Sequence, residues 1–178
     1  MKTPIIILYL ALLSPAIVPA TAKPPQNNQS LIESICKRTP NYRLCLTTIR
    51  ADHTSAGSDV AGLGLILIRA VKSETNKALS AAARLVKTHP HLKAPLGKCA
   101  DVYRAVIEAD VPVAEQSIRG NPKFAENGMA DVAVEADACE RALGRATAAA
   151  APETPMTAAN RAVRDLAVVA RAVIRNLL

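Results

Sequence analysis

Residues 99–139 read CADVYRAVIEADVPVAEQSIRGNPKFAENGMADVAVEADAC: two arms rich in Ala and Val, hinged on Gly120 and closed at both ends by a cysteine. Apolar residues in each arm recur at helical steps rather than alternating as in a strand. Gly120 suits a left-handed helix stop, Asn121 an N-cap, and Pro122 the first helical position, where a fixed φ is already helical. A sharp corner between two helices is therefore expected at residues 119–122. Gly120 lies 21 residues after Cys99 and 19 before Cys139, so in an antiparallel pair, at ~1.5 Å per residue, the sulfurs come out within ~3 Å of equal height.

Four cysteines in an exported chain read as two disulfides, with three connectivities open. Cys36 and Cys45 flank Pro40-Asn41, a turn signal, which makes a bridge across a short helical hairpin the natural local pairing. Cys99–Cys139 is then the second bridge. By loop entropy the short bridge contributes ~2.7 kcal/mol and the long one ~4 kcal/mol. No thiol is left as a nucleophile.

Export itself is read from the start of the chain. Lys2, the apolar run Ile5 to Leu13 and the small residues Ala20-Thr21-Ala22 form a secretory signal peptide over residues 1–22. That run is too short to span a bilayer, which needs ~20 apolar residues, so no membrane anchor is expected. The remaining residues 23–178 fit one domain: a hairpin over about residues 30–52, then a four-helix bundle over about 58–178. Asn28-Gln29-Ser30 is a glycosylation sequon that export would expose.

The bundle is read from apolar spacing as all-α with up-down-up-down topology. Its first helix, from about Ser58 to Thr88, carries Val60, Leu63, Leu67, Val71, Ala78, Ala82 and Leu85 on one face. The second, from about Leu96 to Arg119, carries Cys99, Val102, Val106, Ala109 and Val113 and should kink at Pro112. The third runs from Asn121 to about Thr147. The fourth, from about Pro155 to Leu177, shows the stripe Ala159, Ala162, Leu166, Val169, Val173 and Leu177. Short connections at Pro90 to Pro95, Gly120 and Pro152 to Pro155 make neighbours antiparallel.

The chain has 22 Lys and Arg against 15 Asp and Glu, a formal charge of +7, or +6 once Lys2 leaves with the signal peptide. Such a balance favours an acidic partner or matrix. Nucleic acid is a poor partner, because Tyr9, Tyr42, Tyr103 and Phe124 are the only aromatics and supply no stacking platform. No catalytic constellation emerges either. His53, His89 and His91 lack the Cys or carboxylate spacing of a metal site. Gly57, Gly62 and Gly64 are not followed by the Lys-Ser/Thr of a phosphate loop and read as points of close helix approach. Asp131, Glu135 and Asp137 read as an exposed helix face. Neither cofactor nor metal is implied, and the chain is not read as an enzyme.

What remains is the corner, Arg119-Gly120-Asn121-Pro122-Lys123-Phe124. A lysine in a first helical turn opposes the helix dipole by ~0.3 to 1 kcal/mol, so local stability does not ask for Lys123 there. Phe124 has no stability reason to sit at a tip unless it folds back into the bundle. From physics alone, a solvated lysine beside a phenylalanine tucked into the core is the reading favoured over a binding tip.

Four stretches, Ile35-Cys36-Lys37-Arg38-Thr39 through Cys45-Leu46, Lys98-Cys99-Ala100-Asp101-Val102-Tyr103, Ala138-Cys139-Glu140 and Asn160 through Leu178, together resemble the plant invertase and pectin methylesterase inhibitor family. The segment Asn121-Pro122-Lys123-Phe124-Ala125-Glu126-Asn127-Gly128-Met129 resembles the Pro-Lys-Phe segment of its invertase-directed branch. The resemblance implies a secreted inhibitor of acid invertase (β-fructofuranosidase) in the cell wall or the vacuole. Pro122 would fix the entry angle into the cleft, Lys123 reach its carboxylates, and Phe124 pack at its mouth, with Asn121 as the helix cap. A retaining glycosidase keeps two carboxylates ~5 to 5.5 Å apart, a concentrated target for one ammonium. Pectin methylesterase is the alternative target, and plain adhesion to acidic wall polysaccharide is the reading from another class.

Overall fold

The computed structural model describes residues 28–147 and 153–178, so the signal peptide expected over residues 1–22 and the turn residue Pro152 lie outside the described residues. Helix α1 (Gln29–Cys36) and helix α2 (Tyr42–Ala51) form the hairpin. Helix α3 (Val60–Thr88) opens the bundle, followed by α4 (Lys93–Ala105), a π-turn (Val106–Asp110), α5 (Val111–Ser117), α6 (Pro122–Ala146) and α7 (Thr157–Ile174). Among the described residues there is no strand. Three 3-10 turns were not foreseen: His53–Gly57, Pro90–Leu92 and Arg175–Leu177.

Local chemistry sets several of these boundaries. Asn41 accepts a bond from the Leu44 N–H at 3.0 Å and starts α2. Asp59 accepts from the Gly62 N–H at 2.7 Å and starts α3 at Val60 rather than at Ser58. Both are N-caps of the expected kind. The fourth bundle helix likewise begins later than Pro155, at Thr157. Disulfides join Cys36 to Cys45, with Cα atoms 5.5 Å apart, and Cys99 to Cys139, with Cα atoms 4.9 Å apart.

The topology is the up-down-up-down bundle expected. Helix α4 packs on α3 and α6, α5 packs on α6, and α7 closes the ring against both α6 and α3. The hairpin docks through α2 on α3 and α7. Leu63, Leu67, Val71, Ala78 and Ala82 of α3 are buried as read, with Val60 and Leu85 half-buried at the ends of the face. On α7, Leu166, Val169 and Val173 face the core, but in the first turns it is Asn160 and Val163 that are buried, not Ala159 and Ala162.

The second bundle helix departs from the expected stripe for a clear reason. Pro112 has no N–H to donate to the carbonyl four residues back, and its ring crowds that carbonyl. Here the rod absorbs the misfit in the π-turn just before it, which inserts one extra residue into the helical repeat. The buried face therefore steps from Val106 by five to Val111, then to Ala114 and Ile118, while Ala109 and Val113 point outward.

Glycines let the rods close up. A methyl group at Gly64 of α3 would lie 2.6 Å from Cδ1 of the buried Ile118, and one at Gly128 of α6 would lie 3.1 Å from the Asp110 carbonyl oxygen. The interior also holds a polar thread. The buried Tyr103 hydroxyl donates to Asn160 Oδ1, and Asn160 Nδ2 donates to Glu140 Oε2. The hydroxyls of Thr154, at 3.0 Å, and Thr157 donate to the same carboxylate. This thread links α4, α6 and the entry to α7. Burial, and then the negative charge of Glu140, push the Tyr103 phenol up, so it remains a donor.

Replacing Tyr103 with Phe strands a buried acceptor on Asn160 and should cost about 1–3 kcal/mol of unfolding free energy. Urea denaturation of the oxidised protein measures it; an unchanged midpoint would show that the thread carries no stability.

Candidate functional site

The corner between α5 and α6 forms where it was expected, by a different device. The Ser117 carbonyl accepts from both the Gly120 N–H at 3.1 Å and the Asn121 N–H at 2.7 Å, so α5 ends by tightening its last turn. Gly120 needs no positive φ and has none. Asn121 occupies the N-cap position of α6, but its side chain makes no capping bond; the Phe124 N–H reaches its backbone carbonyl at 3.0 Å instead. Pro122 stands at the start of α6 as read. Behind the corner, Arg119 forms a two-pronged ion pair with Asp59 at 2.9 and 3.1 Å. Asp59 thus caps α3 and anchors the corner at once, and the Arg119 bonds hold its carboxyl below the usual range.

Phe124 does not fold back into the core: it is 57% exposed. Lys123 is also exposed, yet it is not a free ammonium. Its Nζ bonds Oε2 of Glu126, one turn on. Glu126 is only 1% exposed, and its other oxygen accepts from Nε of Arg171 at 2.8 Å and Nε of Arg175 at 2.9 Å. A buried carboxylate requires such partners. Against the burial, the Lys123 bond first and the two arginines after it bring the Glu126 carboxyl down to about 2. Local stability therefore does have a use for Lys123, contrary to the expectation from the helix dipole.

Glu126, Arg171 and Arg175 were missed as site residues. The spacings Lys123 to Glu126 and Arg171 to Arg175 are legible as same-face helical pairs; that they meet across α6 and α7 is not. Past the end of α7, Arg38 of the hairpin donates to Asn176 Oδ1 at 2.9 Å.

The remaining candidates lie elsewhere. Asn28 is half-buried, and its amide nitrogen donates to the carbonyls of Ser55 and Ser58. His89 and His91 pack ring to ring, 6.0 Å between centroids. Among the described residues no group of His, Cys, Asp or Glu is arranged to hold a metal, and no helix is long and apolar enough to cross a membrane. Asp131 and Glu135 do not stand alone on α6: with burial as the main cause, they raise the carboxyl of Asp110.

A closed four-helix ring, a leading hairpin, two disulfides and an exposed corner describe a disulfide-braced helical bundle domain. The sequence matches the family Plant invertase/pectin methylesterase inhibitor over residues 30–173, and the chain belongs to that family. It is an inhibitor by family, not an enzyme. It is 34% identical over 145 residues to Cell wall / vacuolar inhibitor of fructosidase 1 of Arabidopsis thaliana, covering 81% of this chain and 67% of that protein. It is 30% identical over 96 residues to the Pectinesterase inhibitor of Actinidia deliciosa, 52% of each chain. The crystal structure of a pectin methylesterase inhibitor from Arabidopsis thaliana shares the fold, with a TM-score of 0.59 at 16% identity over 85% of this chain and 98% of that one.

The Glu126 cluster predicts an acid limit. Because the folded carboxyl lies at about 2, below its unfolded value of ~4.3, its ionised form stabilises the fold above that unfolded value and loses this effect as pH falls toward 2. The stability difference between the parent and Glu126→Gln should be constant from about pH 7 to about pH 5 and shrink below it. Thermal melts over that range test it, and a difference that grew on acidification would contradict the assignment.

Proposed function

We propose that this chain is a secreted inhibitor of an acid invertase of the cell wall or vacuole, and that it blocks the cleft with the tip Pro122-Lys123-Phe124. The observation that carries the reading is Phe124, an aromatic ring 57% exposed on the first turn of α6, next to an exposed ammonium. A large exposed aromatic beside a cation is the composition of an interface anchor rather than of a solvated helix start. The 34% identity to an inhibitor of fructosidase supports the same target.

In this reading Pro122 sets the direction of α6 into the cleft. Lys123 presents one positive charge to the paired carboxylates of a glycoside hydrolase, and Phe124 covers the contact from water. The charged lysine persists throughout the acidic range in which such an enzyme keeps a carboxylate ionised. Export through the leader of residues 1–22, one inhibitor domain over residues 23–178 and glycan attachment at Asn28 belong to the same proposal. For the last, the glycan would have to displace the bonds from Asn28 to Ser55 and Ser58.

Lys123→Ala should weaken inhibition of acid invertase by ~2–5 kcal/mol, chiefly through faster dissociation. Phe124→Ala should cost more than ~1 kcal/mol. Phe124 rests on an exposed turn, so Phe124→Ala should move the unfolding free energy by no more than about 1 kcal/mol, while Lys123→Ala, which takes one of three partners from the buried Glu126, should cost about 1–3 kcal/mol and still fold. Parallel assays on invertase and pectin methylesterase decide the target. A folded double variant that still inhibits invertase fully would refute the tip, and inhibition of pectin methylesterase alone would refute the target.

A further inference from the structure

Where the tip meets the last turns of α7, three cations share a single anion. Lys123, Arg171 and Arg175 all pair with Glu126, and among the described residues none of the three has a second ion pair. The cluster keeps a surplus of two positive charges. Both guanidinium groups reach Glu126 through Nε, which leaves both Nη atoms of each without a hydrogen bond among the described residues. Their side chains are 37% and 55% exposed. Glu126 itself is hidden beneath them.

We propose that Glu126 is a positioning residue that assembles Lys123, Arg171 and Arg175 into one cationic clamp, so that the surface engaging an acidic partner runs from the tip of α6 onto the last turns of α7. The proposal rests on the reading that the tip enters an acidic cleft. Its partner chemistry is a group of carboxylates: those inside the cleft for Lys123, and further acids at the rim for the two guanidinium forks.

Three physical points support it. Long cationic side chains lose freedom when they bind, and a bond to a buried carboxylate has already ordered them. The guanidinium plane matches a carboxylate through two parallel N–H donors, and here the outward nitrogens are the unused ones. Lastly, Lys123 can leave Glu126 for the partner without stranding a buried charge, because Arg171 and Arg175 continue to hold it. The charge released at the tip is then met by the partner's acids.

The decisive variant is Glu126→Gln, which removes the anion and keeps all three cations. A patch that acts only by its net charge would bind an acidic partner more tightly once a negative charge is lost. A positioned clamp binds more weakly. Inhibition constants against acid invertase and association rates over a salt series are measured for the intact protein, Glu126→Gln and the pair Arg171→Gln with Arg175→Gln, each well below its melting temperature. The expected result is at least about tenfold weaker inhibition for Glu126→Gln and for the double arginine variant, with a shallower salt dependence of association for the latter alone. Glu126→Gln inhibiting as well as or better than the parent would overturn the positioning role. Unchanged affinity and salt slope in the double arginine variant would overturn the extension onto α7, and this variant keeps its ion pair between Lys123 and Glu126 should the glutamine variant fail to fold. A Lys123→Ala, Phe124→Ala protein run alongside separates the two readings: its loss of inhibition beside intact clamp variants would sink only this inference, and its full inhibition would sink the tip itself.

Discussion

A carboxylate shut away from water stays charged only while cations surround it, and Glu126 imposes that condition on the end of the bundle that carries the tip. It lies one turn into α6, buried, with Lys123 on one oxygen and, on the other, Arg171 of α7 and Arg175 of the 3-10 turn that follows it. The bonds tie the first turn of α6 to the last turns of α7, so the tip is not a loose helix end but part of a cross-helix cluster. The Arg119 to Asp59 pair does the same on the α3 side. The corner is thereby fastened to both helices that flank it.

The interior is built for close approach more than for bulk. Ala78, Ala82, Ala114, Ala136, Ala167 and Ala170 are buried where larger residues would force the rods apart, Gly64 leaves room for the Ile118 side chain, and Gly128 lets α6 approach the backbone at Asp110. Small side chains remove less apolar surface from water, at roughly 25 cal/mol per Å². The two disulfides supply part of what the core does not, by restricting the unfolded chain. The polar thread from Tyr103 through Asn160 to Glu140 adds direction, because its bonds are satisfied in one register of α4, α6 and α7.

The π-turn connects this packing to the corner. It rotates α5 relative to α4, so that Val111, Ala114 and Ile118 continue the buried face to the end of the rod. Without the extra residue, Ala109 and Val113 would point inward and the corner would emerge at a different angle. Pro112 determines where the irregularity falls, since it cannot donate to the helix.

How much of this was legible beforehand follows from the range of the interactions. Helices, their faces, the corner at Gly120 and the cysteine pairing arise from residues near in sequence or symmetric about a turn, and periodicity reports those directly. Even there, the stripe slipped after Val106 and at Ala159, because a π-turn and a buried Asn160 obey packing rather than a 3.6-residue period. In the chain, Lys123 and Phe124 stand out as residues without a local purpose beside Pro122, whose place at a helix start is legible. That Phe124 faces solvent, and that Lys123 is held by a buried acid, could not be seen in the chain. A same-helix pair can be read from its spacing, but Glu126 meets Arg171 and Arg175 only because α7 returns alongside α6. Sequence by itself therefore determined the helices, the bridges and the candidate tip, which short-range chemistry dictates; the tertiary structure alone decided which charges share a partner and which ring stays in water, since both depend on what a distant helix brings within a few ångströms.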